Sequence, residues 1–290
     1  MAANTERVAI ITGGSGGMGL AVAQALAARG GWQIHIFDIK EEDGRKVASS
    51  LPRTTFHKAN VVSYDGLAAA FAAAFKAGGN RLDFVFANAG TVEIPNRTNG
   101  HAAPDSAVDS SSLLAPPPPP DFTSVDVNLK GGVNTVHLAH HYLNLSPKKG
   151  SIVITASASG FWPTYWAPMY TASKFGLIGF MRTVAHLYRP EGIRVNALCP
   201  GAVRTPLLPA AAWDMTPEDM LTPLELIAEV VLKLAEGEEV VDSKGVRVPS
   251  EELYGQAIVA NGKNCYVQNG PEYCDEVMAR TMEGTKTLFQ

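Results

Sequence analysis

Thr12-Gly13-Gly14-Ser15-Gly16-Gly17-Met18-Gly19 joins a short apolar run, Arg7 to Thr12, to an Ala/Leu-rich stretch, Gly17 to Arg29. The apolar run ending in glycines reads as a buried strand. The Ala/Leu-rich stretch, closed by Gly30-Gly31, reads as a helix. Glycines at the join let the backbone turn sharply and approach a pyrophosphate closely, and the helix N-terminus then offers it free N–H groups and a partial positive charge. The spacing is glycine, three residues, glycine, one residue, glycine (Gly13, Gly17, Gly19), which differs from the commoner G-x-G-x-x-G. Trp32 to Phe37 is a second strand with Asp38 at its end, nineteen residues after Gly19. A carboxylate there can accept both adenosine ribose hydroxyls and repels a 2′-phosphate. The glycine loop holds no Arg or Lys and Ile39 follows the acid, so NAD is expected rather than NADP, with Lys40 as the one nearby cation.

Outward from this join the pattern repeats. Glu41 to Leu51 and Asp65 to Ala77 read as helices, and Thr54 to His57 and Leu82 to Ala87 as strands. Between Thr91 and Asp121 the rhythm breaks in a polar segment that includes five consecutive prolines, Pro116 to Pro120. Proline donates no ladder hydrogen bond and favours polyproline II, so residues 91–121 read as an exposed proline-rich insertion; a ligand for an SH3-type domain is the alternative. The rhythm resumes with a long helix from Phe122 to Leu145 and a strand from Ser151 to Ala156. A helix from Met169 to Tyr188 and a strand from Ile193 to Leu198, broken at Cys199-Pro200-Gly201, come next. Residues 204–223 carry Pro206, Pro209, Pro217 and Pro223 and read as a loop, Leu224 to Ala235 as a helix, and Ala257 to Ala260 as a last strand. The tail beyond Asn269 is ambiguous. Strands alternating with helices mean β-α-β units, a parallel sheet and helices on both faces. The expected fold is therefore α/β: one doubly wound domain over residues 1–290 with a central parallel sheet of about seven strands.

Composition narrows the function classes. The 290 residues are 46% hydrophobic, enough for a substantial core. A net charge of −4, with no basic run longer than Lys148-Lys149, argues against a nucleic-acid partner. Cys199, Cys265 and Cys274 are too few and too irregular for a disulfide framework or paired zinc ligands, so no metal is expected and a cytoplasmic location fits best. Met1 to Arg7 shows no signal-peptide pattern, and no apolar run approaches a membrane span. His137, His140 and His141 share a helix without an H-E-x-x-H pattern and read as a partner-facing surface.

The chemistry is carried by Ser157, Tyr170 and Lys174. Tyr and Lys at i and i+4 lie one turn apart on one helix face. An ammonium beside a phenol favours phenolate, so Tyr170 is expected to have a lowered pKa and to exchange a proton near neutral pH. A serine hydroxyl at a neighbouring strand end can hold a substrate oxygen against that phenol.

Together these features resemble the short-chain dehydrogenase/reductase family over residues 7 to about 262. Thr12–Gly19 is similar to its T-G-x-x-x-G-x-G, and Asn88-Ala89-Gly90 to its N-A-G after strand four. Asn128, opening Asn-Leu-Lys-Gly, sits where the family has a helix-kinking asparagine. Pro200-Gly201 and Thr205 fit a P-G-x-x-x-T stretch on the nicotinamide side. Asn60-Val61 stands where Asp-Val is usual near the adenine, and the loop after Thr91 is longer than usual. The resemblance implies a Rossmann fold and an NAD-dependent oxidoreductase acting on a secondary alcohol or ketone. Tyr170 would be the general acid/base, Lys174 would tune it and bond the nicotinamide ribose, Ser157 would orient the substrate, and Asn128 would hold a water linking Lys174 to solvent. The implied cofactor set is Gly13, Ser15, Gly16, Gly17, Met18, Gly19, Asp38, Ile39, Asn60, Val61, Asn88, Ala89, Gly90, Tyr170, Lys174, Pro200, Gly201, Val203 and Thr205. A homodimer or homotetramer is implied too, built on the helices that hold Asn128 and Tyr170.

Aromatic residues set the substrate expectation. Phe161, Trp162, Tyr165 and Trp166 crowd the segment before Tyr170, and Trp213 and Met215 lie in the loop at 204–223. An aromatic wall of Trp162 and Trp166 beside Ser157 and Tyr170, with Trp213 on a lid, suits a fairly bulky apolar small molecule. Packing at a subunit contact is the alternative for the same residues. The alternatives for the activity are an NADP-dependent ketone reductase and a catalytically silent nucleotide-binding protein.

Overall fold

The computed structural model describes residues 6–93 and 119–287. The first half runs β1 (Arg7–Thr12), α1 (Gly17–Arg29), β2 (Trp32–Asp38), α2 (Glu41–Ser50), β3 (Thr54–Lys58), α3 (Tyr64–Ala77) and β4 (Phe84–Ala87). The second half runs α4 (Gly131–Leu145), β5 (Ser151–Thr155), α5 (Pro168–Tyr188), β6 (Arg194–Pro200), α6 (Ala210–Asp214) and α7 (Leu224–Glu236). After these come a small hairpin of β7 (Val240–Val241) and β8 (Arg247–Val248), then β9 (Ala257–Asn261), β10 (Asn264–Val267) and α8 (Glu276–Gly284).

The central sheet has eight strands in the order β10-β9-β6-β5-β4-β1-β2-β3. Seven of them pair in parallel, as the alternating pattern requires; β10 is the addition and pairs antiparallel with β9. Gly262 and Lys263 form the turn between them, with Gly262 at φ +55°. Side chains alternate across the sheet with the strand period of two. Val8 and Ile10 of β1 pack with Leu67 and Phe71 of α3, Val136 and Leu143 of α4, and Leu177 and Met181 of α5. Ala9 and Ile11 face the other way, onto Val22 and Leu26 of α1 and Ile227, Val231 and Leu234 of α7. Both faces are therefore covered, and the strands read as near-continuous apolar runs.

Three readings are corrected. The helix expected over Phe122–Leu145 opens as a π-helical turn, Val125–Lys130, in which the Gly131 N–H reaches back to the Asp126 carbonyl. The strand expected to break at Cys199 runs on to Pro200, whose residue pairs with Ala260. Residues 204–223 are not all loop: they hold α6 and a short 3₁₀ turn, Glu218–Met220. Most of the proline-rich insertion, residues 94–118, lies outside the described residues. Among the described residues no helix is long and apolar enough to cross a membrane, and no group of three or more His, Cys, Asp or Glu could hold a metal ion.

Strand order reverses between β1 and β4: the chain steps outward through β2 and β3, then returns to build β4, β5 and β6 on the other side. The crevice beyond the carboxyl ends of the strands at such a reversal is where open α/β sheets bind ligands.

Candidate active site

The glycine loop closes the carboxyl end of β1. Gly13 and Gly17 stand at φ +67° and +52°, conformations that L side chains avoid. A Cβ on Gly19 would lie 2.2 Å from the Gly13 carbonyl oxygen, so α1 packs here against bare backbone. Gly19 is thus needed to shape the loop although it does not itself border the cavity. The Ser15 hydroxyl is buried with no hydrogen-bond partner, and Ser15 borders the cavity. An orphaned donor among backbone N–H groups at a helix N-terminus fits a phosphate oxygen.

Neighbouring strands hold the loop. The Asn88 amide donates to the carbonyls of Thr12 and Gly13 at 3.1 and 3.3 Å, and its oxygen accepts from the Thr155 hydroxyl at 3.1 Å. The N–H groups of Asn88 and Ala89 donate to the Thr12 hydroxyl at 2.9 and 3.1 Å. One residue, Asn88, thereby ties β4 to β1 and β5. At the tip of β2 the Asp38 carboxylate accepts the Ser15 N–H at 3.1 Å and the Lys40 N–H at 3.0 Å.

Ser157 follows β5 and caps a single 3₁₀ turn; its hydroxyl oxygen accepts the Ser159 N–H at 3.0 Å. The Tyr170 phenol lies near the Ser157 hydroxyl, which acts to lower its pKa. Lys174 is one helical turn on, its Nζ 5.4 Å from the centre of the Tyr170 ring and 2.9 Å from the Thr155 carbonyl, to which it donates. Burial pulls the Lys174 ammonium down to about 8. The Tyr170 phenol departs from expectation: its pKa is raised, because burial outweighs the opposing influence of Ser157. The Lys174 ammonium does not offset this burial; its hydrogen bond runs to Thr155.

Asn128 lies in the π-helical turn, buried behind the cavity wall. Its amide nitrogen donates to the Thr91 carbonyl at 2.9 Å and the Ser173 hydroxyl at 3.0 Å, and its oxygen accepts the Thr91 N–H at 2.7 Å. With both amide hydrogens engaged, the side chain is a brace. Gly90 separates it from Lys174: a Cβ there would lie 3.1 Å from Asn128 Oδ1 and 3.8 Å from Lys174 Nζ.

A cavity of about 570 Å³ gathers most of the expected residues. Gly13, Ser15, Gly16, Gly17 and Met18 border it at one side, with Asp38, Ile39, Asn60, Val61, Asn88, Ala89 and Gly90. Ser157, Tyr170, Lys174, Pro200, Gly201, Val203, Thr205 and Trp213 complete the other. Trp162 and Trp166 are not among the lining residues and stand 54% and 45% exposed. Trp213 does border the cavity and its indole donates to the Thr205 carbonyl at 2.9 Å. Sequence reading missed Phe37, Thr91, Thr123, Val127, Pro206 and Leu207, which line the cavity without a motif of their own; Lys40, noted as the cation beside Asp38, lines it too. Pro206, adjacent to Thr205, was within reach of a wider window. His137, His140 and His141 do not converge: they stand against Tyr64, Tyr188 and Tyr142 respectively. Cys199 is buried and its thiol pushed up to about 12, which leaves it inert.

Comparison with known proteins agrees with this geometry. A sequence model of the family described as short chain dehydrogenase matches residues 7–215. The short-chain dehydrogenase/reductase prx7 of Penicillium rubens is 46% identical over 276 residues, covering 92% of this chain and 96% of that protein. The 5′-hydroxyaverantin dehydrogenase of Dothistroma septosporum is 30% identical over 266 residues, covering 87% of this chain and 83% of that one. The crystal structure of 3-ketoacyl-(acyl-carrier-protein) reductase from Brucella melitensis complexed with NADH has the same fold. Its TM-score is 0.69 at 23% identity, over 88% of this chain and 97% of that chain.

Proposed function

The chain belongs to the short-chain dehydrogenase/reductase family, and on that premise we propose an NAD-dependent oxidoreductase that interconverts a secondary alcohol and its ketone on a fairly bulky apolar substrate. One observation carries the reading: Ser157, Tyr170 and Lys174 border the same cavity as the glycine loop. The orphaned Ser15 hydroxyl and the loop N–H groups suit the pyrophosphate, Asp38 the adenosine ribose, Asn60 and Val61 the adenine, and Lys174 the nicotinamide ribose. Pro200, Gly201, Val203 and Thr205 would flank the nicotinamide. When bound, the dinucleotide supplies or accepts the hydride.

The chain's own residues handle the proton. Ser157 holds the substrate oxygen beside the phenol. In reduction, Tyr170 gives its phenolic proton to the oxygen as negative charge develops there; in oxidation it takes that proton back. Burial keeps Tyr170 protonated at rest, the donor form that reduction uses; oxidation starts once the phenol has passed its own proton on by way of Lys174. Lys174, half-discharged near pH 8 by its burial, is placed to exchange a proton behind the phenol. Asn128 keeps Thr91 and Ser173 in register around both. Trp213, Leu207 and Val203 give the substrate end an apolar lining.

Oxidation of the alcohol is the cellular direction that NAD use favours, and the dehydrogenase from Dothistroma supports it by name. A cytoplasmic homodimer or homotetramer, free of nucleic acid and membrane, completes the reading; three free thiols support that compartment. A second reading, an NADP-dependent ketone reductase, rests on Lys40, which borders the cavity beside Asp38. Purified protein assayed with α-tetralone separates them. NADH should outperform NADPH, and Tyr170→Phe should lower turnover by about 100-fold or more. Faster turnover with NADPH overturns the NAD assignment, and an undiminished Tyr170→Phe variant overturns the role of the phenol.

A further inference from the structure

Helix α5 carries Tyr170 and Lys174 but begins without a local cap. Its N-cap residue is Ala167, which has no side-chain acceptor, and Pro168 has no N–H. The Ala167 N–H is taken by the Thr164 carbonyl at 3.0 Å and the Thr171 N–H by the Ala167 carbonyl at 2.9 Å. Two donors of the first turn remain, on Met169 and Tyr170. Both go to one carboxylate brought from far away in the chain: Glu93 Oε1 accepts the Met169 N–H at 2.7 Å and Oε2 the Tyr170 N–H at 2.8 Å. Glu93 is only 6% exposed. A buried carboxylate is costly unless its oxygens are bonded, and the positive end of a 21-residue helix is a favourable place for it.

Glu93 also ends a short strap. Gly90 lines the cavity beside Lys174, and Thr91 is bracketed by the Asn128 amide through both its N–H and its carbonyl. Residues 90–93 therefore tie the end of β4 to the π-helical turn and to the first turn of α5. We infer that Glu93 is the positioning residue for Tyr170: by holding the first turn of α5 through two backbone N–H groups, it keeps the phenol against Ser157. Glu93 touches neither substrate nor cofactor in this assignment, and the inference rests on the reading of Tyr170 as the proton carrier.

The test pairs Glu93→Ala with the isosteric Glu93→Gln. In Glu93→Gln the amide oxygen still accepts one N–H, while its NH₂ faces the other. With NADH and α-tetralone, kcat should fall about 30-fold in Glu93→Ala and about fivefold in Glu93→Gln, since small misplacement of a reacting group is expensive. The Kd for NADH, read by fluorescence titration, should stay within about twofold of the parent, because the glycine loop is untouched. Amide hydrogen exchange supplies a readout independent of turnover: the Met169 and Tyr170 amides should be protected in the parent and lose protection in both variants, most in Glu93→Ala. If Glu93→Ala fails to fold, Glu93→Gln carries the same comparison. Parent-like kcat in the folded variants, or NADH affinity falling in step with kcat, overturns the inference. Unprotected amides in an active parent overturn it as well. An inactive parent whose amides behave as described overturns instead the function proposed above and leaves the clamp standing.

Discussion

Burial strips water from the Lys174 ammonium and leaves it the Thr155 carbonyl, so its pKa falls from 10.5 to about 8. In the unfolded chain it stays at the higher value. Below pH 8 both states hold the proton and the folded state bears the whole desolvation penalty. Between about 8 and 10.5 the unfolded chain binds a proton that the folded one has shed, so stability rises with pH across that window. Lys174→Met removes the penalty at neutral pH but strands the Thr155 carbonyl, for a net gain on the order of 1 kcal/mol. The variant should melt about 2–4 °C above the parent at pH 7. The advantage should shrink in scans at pH 10, while turnover falls by about 100-fold or more. A lower melting temperature than the parent at pH 7 would contradict the account. At this scale the reactive side chains were legible from Ser157, Tyr170 and Lys174 because helical spacing alone places the last two on one face. The sign of the Tyr170 shift was not, since it turns on burial and on Ser157, which only the fold supplies. Glu93 had no local signal either: its partners lie 76 and 77 residues downstream.

At the edge of the sheet, β2 and β3 hide a histidine pair. His35 Nδ1 lies 2.9 Å from His57 Nε2, and the Phe37 ring packs edge-on to His57 at 5.1 Å. The other His35 nitrogen is buried without a partner. Burial first, and the neighbouring His57 second, lower His35 from 6.5 to about 4; burial lowers His57 too. The folded state thus refuses protons that the unfolded chain accepts. The stability at stake is fully present above pH 6.5 and is lost as pH falls toward 4. For His35 alone this amounts to roughly 3 kcal/mol across the window. Urea midpoints of His35→Leu should therefore fall less between pH 7 and pH 5 than those of the parent, and parallel declines would refute the coupling. Element identity was largely legible from apolar runs punctuated by glycine. The exceptions have physical causes. The π-helical turn has no propensity signature, since it differs from an α-helix only in the shift of its hydrogen bonds. Strand β10 is half-exposed and lacks an apolar run, although Gly262, at φ +55°, opens the two-residue hairpin turn. Helix α8 buries no residue, and the Asp275 cap, accepting the Met278 N–H at 2.7 Å, signals its start.

For the molecule as a whole, the alternation of strand and helix was enough to specify a doubly wound sheet, and the reversal between β1 and β4 then dictates where the cavity opens. What the alternation leaves open is which surfaces another copy would cover, and α5 offers a physical clue. Phe175 and Leu187 stand 45% and 53% exposed on this helix. Between them Gly179 is a mid-helix glycine whose added Cβ would meet nothing within 4 Å. A glycine in a helix interior costs about 1 kcal/mol relative to alanine, and among the described residues no contact accounts for it. Close approach of a second helix does, because a missing side chain lets two backbones near each other and lets flanking Phe175 and Leu187 leave water. Exposed Leu145 at the end of α4 extends the same apolar character to the helix that follows Asn128. The proposed homo-oligomer should therefore sediment as a dimer or tetramer, with α5 against α5 of another copy. Gly179→Leu and Phe175→Glu should each shift the sedimentation coefficient toward the monomer, the second more strongly, since it buries a charge in an apolar contact. Far-UV circular dichroism should remain that of the parent, both positions being on the outer face of α5. Sedimentation of the parent as a monomer at micromolar concentration, or variants that assemble as the parent does, would remove α5 as the assembly face.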